Sequence, residues 1–468
     1  MICHKSIPVL PFLKGWLSAT VLVCGWAGAL WAQDNTTPVP LPLPKGGLQI
    51  SSISGYAVYY SNGLPTTGSF RSGVASLPAD AGMGGSVVFD WTKFTERTTF
   101  SLSYTPSYTG RVKYTSLDAL NHALSMNFAR KLSHRWNFGF SAAGNLSTLD
   151  EFLFAPTALS NVASVPSTFN DLASALTSSK FTNNPQLGIA LTGAPLVQSP
   201  FETLLYGERM FTSSAQASLS FSYSPRLSVT FSGGGGRTQH LSDDQNSSGI
   251  NTYLIPDTTT GRAGVALSYS YSPVWQFGAT VNTDRISSSF VDAYITTSLA
   301  NVSRTLGRRW ILQLHGGVGF TNPVRQTHFP ISTAPLPAAG GSLAFKTSSH
   351  TFLGSFDRTA SDLYGLGAAN TSTGNAVWRW RHPGYAWWLE SSIGWQQLQG
   401  NTVINTSGWH ASAGFGRAIN TQLTFLAEYA YLNYSGGLQT AGYKLSQSAV
   451  RVSLMWTPRP VVPRVVPR

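Results

Sequence analysis

Cysteine is almost absent from this sequence, with Cys3 and Cys24 as its two representatives in 468 residues. Both lie within the first 32 residues, so the rest of the chain has no thiol. Such a chain forms neither a disulfide framework nor a cysteine-ligated metal site. We therefore expect no metal site in the folded part of the protein.

Charged residues and long apolar runs are also scarce. Charged residues make up 11% of the chain, and the mean hydropathy is −0.02. Beyond an uncharged stretch from Gly15 to Ala32, no segment is apolar enough to be a membrane-spanning helix. A helical membrane protein would be far more apolar, so that class is excluded.

Catalytic signatures are missing as well. The sequence has no Gly-x-Ser-x-Gly elbow, no His-Glu-x-x-His pair and no glycine-rich loop followed by Lys and Ser or Thr. We therefore expect no enzymatic activity and no cofactor. One alternative stays open: a hydrolase that uses Ser and His, because serines lie near His122, His240, His315 and His410.

The basic excess does not indicate a nucleic-acid partner. The formal net charge is +12, from 31 Lys and Arg residues against 19 Asp and Glu residues. The arginines are scattered, and no basic run is interleaved with aromatic residues in a recognisable nucleic-acid-binding module. We expect no nucleic acid to bind.

The N-terminus resembles a secretory signal peptide. Lys5 and Lys14 precede the uncharged stretch, which closes on the small residue Ala32. We expect cleavage after Ala32, so that residues 1–32 are the signal peptide; an uncleaved anchor is the alternative. Residues 33–47 are rich in proline, and we expect an extended segment that pairs in no sheet.

The main feature that is present is alternation. In Ala215–Tyr223, every odd position is apolar and every even position is polar, as in a strand whose two faces meet different solvents. Segments of this kind recur from residue 48 to Trp456. The pattern predicts an all-β protein, a transmembrane antiparallel up-and-down β-barrel over residues 48–456, with one face toward lipid and the other toward a wet lumen.

Short connections between the segments give the number of strands. Eight of them are expected on the periplasmic side: Lys93–Thr98, Ala129–Arg135, Ser224–Arg226, Ser272–Val274, Leu306–Arg309, Thr347–His350, Arg381–Gly384 and Ile419–Thr421. They define sixteen strands. An opening strand at Leu48–Tyr60 and a closing strand at Tyr443–Trp456 give 18, or about 16 if the hairpin at Thr347–His350 does not form.

Aromatic residues cluster next to these short connections. Amphipathic rings prefer the depth of lipid headgroups. We therefore predict a periplasmic aromatic girdle of nine residues: Trp91, Trp136, Tyr223, Tyr271, Trp275, Trp310, Trp380, Trp387 and Trp456.

Two long connections are expected on the other side. The larger, residues 149–205, contains a weak helical pattern at Ser167–Lys180. This segment is either a constriction folded into the lumen or an extracellular surface loop with one short helix, and the sequence favours neither. A proline-rich loop is expected at Asn322–Ala339.

Parity within each strand selects the residues that line the lumen. If the aromatic and aliphatic positions face lipid, the charged residues between them face inward. The lumen-lining candidates are Arg111, Lys113, Lys346, Arg379, Arg451, Asp90, Glu390 and Glu428. His315 and His410 turn inward by the same parity. The alternative role for each charge is pairing across strands, which keeps the lumen wet without selecting ions.

Taken over its whole length, the chain resembles bacterial outer-membrane β-barrels of the porin-like kind. Tyr104–Arg111, followed by Leu120–His122, is similar to a feature of uncharacterised barrels of this type. The chain departs from the usual pattern at its end, because Trp456 is followed by a Pro- and Arg-rich tail, residues 457–468. Many such barrels end on an aromatic residue that the barrel-assembly machinery reads.

The resemblance implies a diffusion channel for small hydrophilic solutes in the outer membrane of a Gram-negative envelope. Because basic lumen candidates slightly outnumber acidic ones, we expect a weak anion preference. The alternative is the outer-membrane component of an export system, for example for polysaccharide. Expected partners are outer-membrane lipid, the assembly machinery and two further copies in a homotrimer. A periplasmic partner could contact the tail through Arg459, Arg464 and Arg468, although disorder of the tail is favoured.

Overall fold

The computed structural model describes residues 47–61, 78–115, 118–148, 209–241, 257–307, 309–325, 333–347, 349–362, 368–382, 386–399, 404–438 and 441–458. Several predicted features fall outside these ranges. They are the signal peptide, most of the proline-rich segment, the loop at 149–205 with its helical pattern, and the tail beyond residue 458.

The described residues form eighteen strands. In chain order they are β1 Gly47–Tyr60, β2 Asp80–Phe94, β3 Thr98–Arg111, β4 Ala119–Lys131, β5 Trp136–Thr148, β6 Arg209–Ser222, β7 Leu227–His240, β8 Thr258–Ser270, β9 Trp275–Ser287, β10 Asp292–Leu306, β11 Trp310–Arg325, β12 Leu336–Lys346, β13 His350–Asp362, β14 Ala368–Arg381, β15 Trp387–Gln399, β16 Ile404–Ala418, β17 Leu423–Leu438 and β18 Ala441–Trp456. Within the described ranges, no helix is both long and apolar enough to cross a membrane.

The strands form one closed antiparallel sheet. Each strand pairs with its neighbours along the chain, and β1 pairs with both β2 and β18. The closing register runs from Ile53 opposite Trp456 to Tyr60 opposite Ala449. With strands spaced about 4.8 Å apart and tilted by about 40°, eighteen strands give a backbone diameter of about 35 Å. The predicted up-and-down barrel is confirmed, at the upper of the two predicted strand numbers.

The eight predicted short connections are all present at one end of the barrel, which we call the short-turn end. The hairpin at Thr347–His350, on which the count depended, joins β12 to β13. One boundary was wrong. The loop predicted at Asn322–Ala339 is shorter, because β11 continues to Arg325 and β12 begins at Leu336.

A recurring hydrogen bond between a side chain and the backbone explains why these turns could be predicted from the sequence. The Oγ atoms of Ser224 and Ser272 each accept a hydrogen bond from the backbone N–H three residues later, at 3.1 Å. Thr347 Oγ1 and Asn420 Oδ1 do the same at 2.9 and 2.7 Å. Side chains of Ser, Thr and Asn stabilise tight turns in this way.

The two faces of the sheet have opposite character. Along β15 the buried positions alternate with more exposed ones, and Ile393 and Trp395 on the exposed face are 56% and 39% accessible. The outer face of the barrel is thus a belt of large apolar residues, and the buried positions form the inner face. A closed antiparallel barrel with an apolar outer belt is the arrangement that transmembrane β-barrels adopt.

Candidate functional site: the lumen wall

Small polar side chains cover much of the inner face. On β6 and β7, most inner positions hold Ser, Thr, Gln or Gly. Ser220 and Thr230 share a hydrogen bond of 2.9 Å between their hydroxyl groups. On β8 and β9, Gln276 Nε2 donates to Ser268 Oγ at 2.6 Å. This wall offers hydroxyl and amide groups to water and to polar solutes.

Six charged residues lie in one cross-strand row on the inner face. Directly opposite partners, taken from strand to strand, are Lys346, Thr351, Arg379, Glu390, Gly414, Glu428, Arg451, Val58, Gly82 and Arg111. We call this set the charged row. It crosses ten consecutive strands, from β12 through β18 to β3. Six of the eight predicted lumen-lining residues belong to it.

The charged row also changes depth as it crosses the wall. Lys346 is the last residue of β12, at the short-turn end, whereas Arg111 is the last residue of β3, at the opposite end. Because the strands of a barrel are tilted, a row of direct partners climbs around the wall. The six charges are therefore spread over several depths along this side of the wall.

Within the row, opposite charges face each other. Arg379 Nη2 and Nε lie 2.6 and 2.7 Å from Glu390 Oε2, and the two side chains are 12% and 6% exposed. Glu428 is directly opposite Arg451, whose Cζ lies 4.5 Å from the centre of the Tyr56 ring. The signs alternate in pairs along the row, so its field partly cancels inside the lumen.

The two remaining candidates lie elsewhere. Asp90 is near the short-turn end of β2, where it accepts a hydrogen bond from Ser51 at an irregularity in the β1 register. Lys113 does not lie on the inner face of a strand, because β3 ends at Arg111. Its Nζ donates to the carbonyl of Ala79 at 2.7 Å, which holds it at the rim.

Sequence reasoning missed an arginine–aspartate ion pair and a histidine–aspartate contact. Arg262 Nε lies 2.5 Å from Asp284 Oδ1, between β8 and β9. His315 Nε2 lies 3.1 Å from Asp357 Oδ2, between β11 and β13. Arg262 is flanked by the small residues Gly261 and Ala263. Its strand therefore offered no large apolar neighbour from which parity could assign Arg262 to the inner face.

Glycines let several inner side chains lie along the wall. A Cβ at Gly416 would overlap the ring of Trp388, and one at Gly394 would overlap the ring of His410. At Gly264 the overlap would be with Asn282. We call these glycine-crossing side chains. Each crosses the neighbouring strand along the wall and leaves the space above it to the lumen.

The same arrangement connects strands that do not pair directly. Tyr56 lies over Gly84 of β2, and its hydroxyl is 2.5 Å from Thr109 Oγ1 of β3. Arg111 passes Gly82, and its Cζ lies 4.0 Å from the centre of the Tyr60 ring on β1. Bulky and charged groups therefore line the wall while little of them projects toward the barrel axis.

The nine aromatic residues predicted for the girdle all lie at the short-turn end. Trp136 contacts Phe221 and Trp310 contacts Phe345, with ring centres 4.6 and 4.3 Å apart. Trp380 and Trp387 pack edge to face at 5.1 Å. Their placement matches the predicted position at one end of each hairpin; their depth in a lipid bilayer stays a prediction.

Three histidines in the described ranges, His122, His315 and His410, lie on separate strands and form no common centre. His122 lies on the outer face, where its Nδ1 is 2.8 Å from the Tyr104 hydroxyl, whereas His315 and His410 lie on the inner face of separate strands. In the described part of the chain, no group of three His, Cys, Asp or Glu side chains is placed to hold a metal ion.

The Tyr104–Arg111 stretch belongs to β3 and contacts the connection to β4. The Tyr108 hydroxyl and the Arg111 backbone N–H both donate to Asp118, at 3.1 and 2.7 Å.

No protein-family model matches the chain, and no curated protein matches its sequence. Among solved structures, it is similar to OccAB4 of Acinetobacter baumannii, at 9% identity over 89% of this chain and 99% of that one, with a TM-score of 0.43. OpdO of Pseudomonas aeruginosa shows 10% identity over 89% and 98% of the chains, with a TM-score of 0.42. The siderophore receptor PirA of Pseudomonas aeruginosa shows 9% identity over 88% and 81%, with a TM-score of 0.39. The fold of the present chain is established by its own strand pairing.

Proposed function

We propose that the protein is a passive diffusion channel for small hydrophilic solutes. The observation that carries the proposal is the closed ring of eighteen strands whose inner face presents hydroxyl groups, amides and charge pairs. A ring of this size leaves an aqueous channel unless it is filled. The glycine-crossing side chains support the same conclusion, because they line the wall without extending across the lumen.

We further propose a weak anion preference. The charge pairs of the lumen wall limit the selectivity in either direction. A positive bias comes from the mouth at the short-turn end, where the inner positions Lys131, Lys346 and Arg381 are basic. A positive mouth raises the local concentration of anions.

The proposed location is the outer membrane, with the short turns in the periplasm. The N-terminal segment would direct export, and the barrel-assembly machinery would insert the chain. We include a homotrimer in the proposal, since porin-like barrels often form trimers. The mass of the purified protein in detergent, measured by light scattering, tests that part.

Single-channel recording tests the function. The mature protein, refolded and placed in a planar bilayer under a salt gradient, should show steady large openings and a reversal potential shifted toward that of the anion. A cation-shifted potential would overturn the preference. Silence from correctly folded protein would overturn the free channel and favour an export barrel that needs a partner.

A further inference from the structure

Basic residues are concentrated at the short-turn end. We define the short-turn rim as the eight short connections with the two strand residues on either side of each. Its described residues include ten Lys or Arg side chains, Lys93, Arg97, Arg130, Lys131, Arg135, Arg226, Arg309, Lys346, Arg381 and Arg417, and one carboxylate, Glu96. The chain's formal excess is +12. Most of that excess therefore lies on one rim.

The opposite end does not share this excess. Its described residues mix Arg111, Arg237 and Arg285 with Asp80, Asp118 and Asp292, and Arg285 pairs with Asp292 at 3.4 Å. The charge of the barrel is thus distributed along its axis, with one strongly basic rim. Such a field attracts anionic groups to that end.

Strand parity divides the basic residues on the strands near the short-turn end into two sets, and the other four rim arginines lie in the turns. Lys131, Lys346 and Arg381 occupy inner positions and face the mouth of the lumen. Lys93, Arg130 and Arg417 occupy outer positions, on the face that carries the apolar belt. Arg304, two residues before the end of β10, is also on the outer face. We call Lys93, Arg130, Arg304 and Arg417 the outer bases.

Each outer base is directly opposite an outward aromatic residue on the neighbouring strand. The four pairs are Lys93 with Phe100, Arg130 with Phe138, Arg304 with Trp275 and Arg417 with Trp387. Arg304 Cζ lies 4.6 Å from the centre of the Trp275 ring. Amphipathic aromatic rings prefer the headgroup level, and at that predicted depth a base beside each ring reaches the phosphate layer.

We propose that the outer bases form a docking surface for anionic phospholipids in the leaflet that surrounds the short turns. The ring packs against the upper acyl chain and glycerol region, and the guanidinium or ammonium group binds the phosphodiester. Zwitterionic lipids lack the net charge that this surface matches. A soluble acidic partner fits the position less well, because the outer bases lie on the outer face of the barrel, beside the apolar belt.

Tryptophan fluorescence offers a direct test. Nine of the 14 tryptophans lie at this end: Trp91, Trp136, Trp275, Trp310, Trp378, Trp380, Trp387, Trp388 and Trp456. The refolded mature protein is placed in mixed vesicles of unbrominated phosphatidylcholine with brominated phosphatidylglycerol or brominated phosphatidylcholine. The relative quenching gives the preference between the two lipids. We expect about a twofold to threefold preference for phosphatidylglycerol at low salt, and its loss at about 0.5 M NaCl.

The variants locate the effect. Replacing all four outer bases by Gln (K93Q, R130Q, R304Q, R417Q) should abolish the preference. The matched control is R237Q/R358Q, which changes two arginines on the outer face near the opposite end and should leave the preference intact. A shift of the gel mobility on heating shows whether each variant has folded. If a variant does not fold, the salt dependence of the parent protein still tests the proposal.

Three results would overturn the proposal. One is equal quenching of the parent by both lipids, and another is an unchanged preference in the four-base variant. The third is binding of polyglutamate by the rim in the absence of any lipid preference, which would assign the rim to a soluble acidic partner. The proposal rests on the proposed membrane location, but channel conductance does not enter this test, so a failure of the lipid preference is distinguishable from a failure of the proposed channel.

Discussion

The Arg379–Glu390 pair allows a quantitative prediction about the lumen wall. Two guanidinium nitrogens contact one carboxylate oxygen at 2.6 and 2.7 Å, and both side chains are nearly inaccessible. Removing one partner of a buried pair leaves the other charge uncompensated, which costs about 3–5 kcal/mol. E390Q retains an amide oxygen as acceptor, so we expect a loss of about 2–3 kcal/mol in the free energy of unfolding.

The assay is urea-induced unfolding of the refolded barrel in lipid vesicles, followed by tryptophan fluorescence. R379Q should cost a similar amount, because it leaves Glu390 unpaired. The double variant R379Q/E390Q should cost clearly less than the sum of the single variants, since it removes both charges. D284N is the matched control. Its partner Arg262 is 39% exposed, so the loss there should stay below about 1 kcal/mol.

Two outcomes would refute this reasoning. If E390Q is as stable as the parent, the lumen must solvate Arg379 despite its 12% exposure. If the single effects add up in the double variant, the two residues do not interact in the folded barrel. Either result would exclude the Arg379–Glu390 pair as a stabilising contact of the wall.

Three further predictions follow from the wall and its rim. G394A should displace the His410 ring, lower the unfolding free energy by about 1–3 kcal/mol and reduce the single-channel conductance. G316A is the control, because a Cβ there would meet nothing within 4 Å, and it should change neither quantity. Equal effects of the two variants would contradict the role of the glycine crossing. K131Q/R381Q at the inner mouth should move the reversal potential toward zero, whereas K93Q/R130Q on the outer face should not. A shift in the second variant alone would show that the inner bases do not cause the anion preference. N420A should lower the unfolding free energy by about 1 kcal/mol, because it removes the two hydrogen bonds that Asn420 Oδ1 accepts from the backbone of the turn. Q422A is the control and should have no such effect. An unchanged stability of N420A would show that the turn forms without these bonds.

The fold could be predicted because its determinants are local. Alternation gives the two faces, and side chains such as Ser272 and Asn420 form the bonds that close the turns. The hairpin at Thr347–His350 was the least certain in sequence. Thr347 accepts the same bond as the other turns, and that hydroxyl was the feature that could have resolved the strand count.

The charged row could be predicted only in part. Parity placed Arg379 and Glu428 on the inner face. The pairing of direct partners in the row depends on the stagger of ten strands, and no single segment of the sequence encodes that stagger. Lys113 was misplaced because the end of β3 depends on a tertiary feature. The Asp80 side chain of β2 accepts a hydrogen bond from the Lys113 backbone N–H at 3.0 Å.

The closing pair of strands also has a consequence for how the barrel forms. β1 and β18 meet over Ile53–Tyr60 alone, whereas β17 and β18 pair along the whole of Leu423–Leu438. The partners in this closure lie about as far apart in sequence as the barrel allows, so it has the highest entropic cost of any pairing and is expected last. Until β18 arrives, the edge of β1 is an unpaired template for other chains. A chain truncated within β18 should therefore aggregate or be degraded rather than accumulate as a slightly smaller barrel.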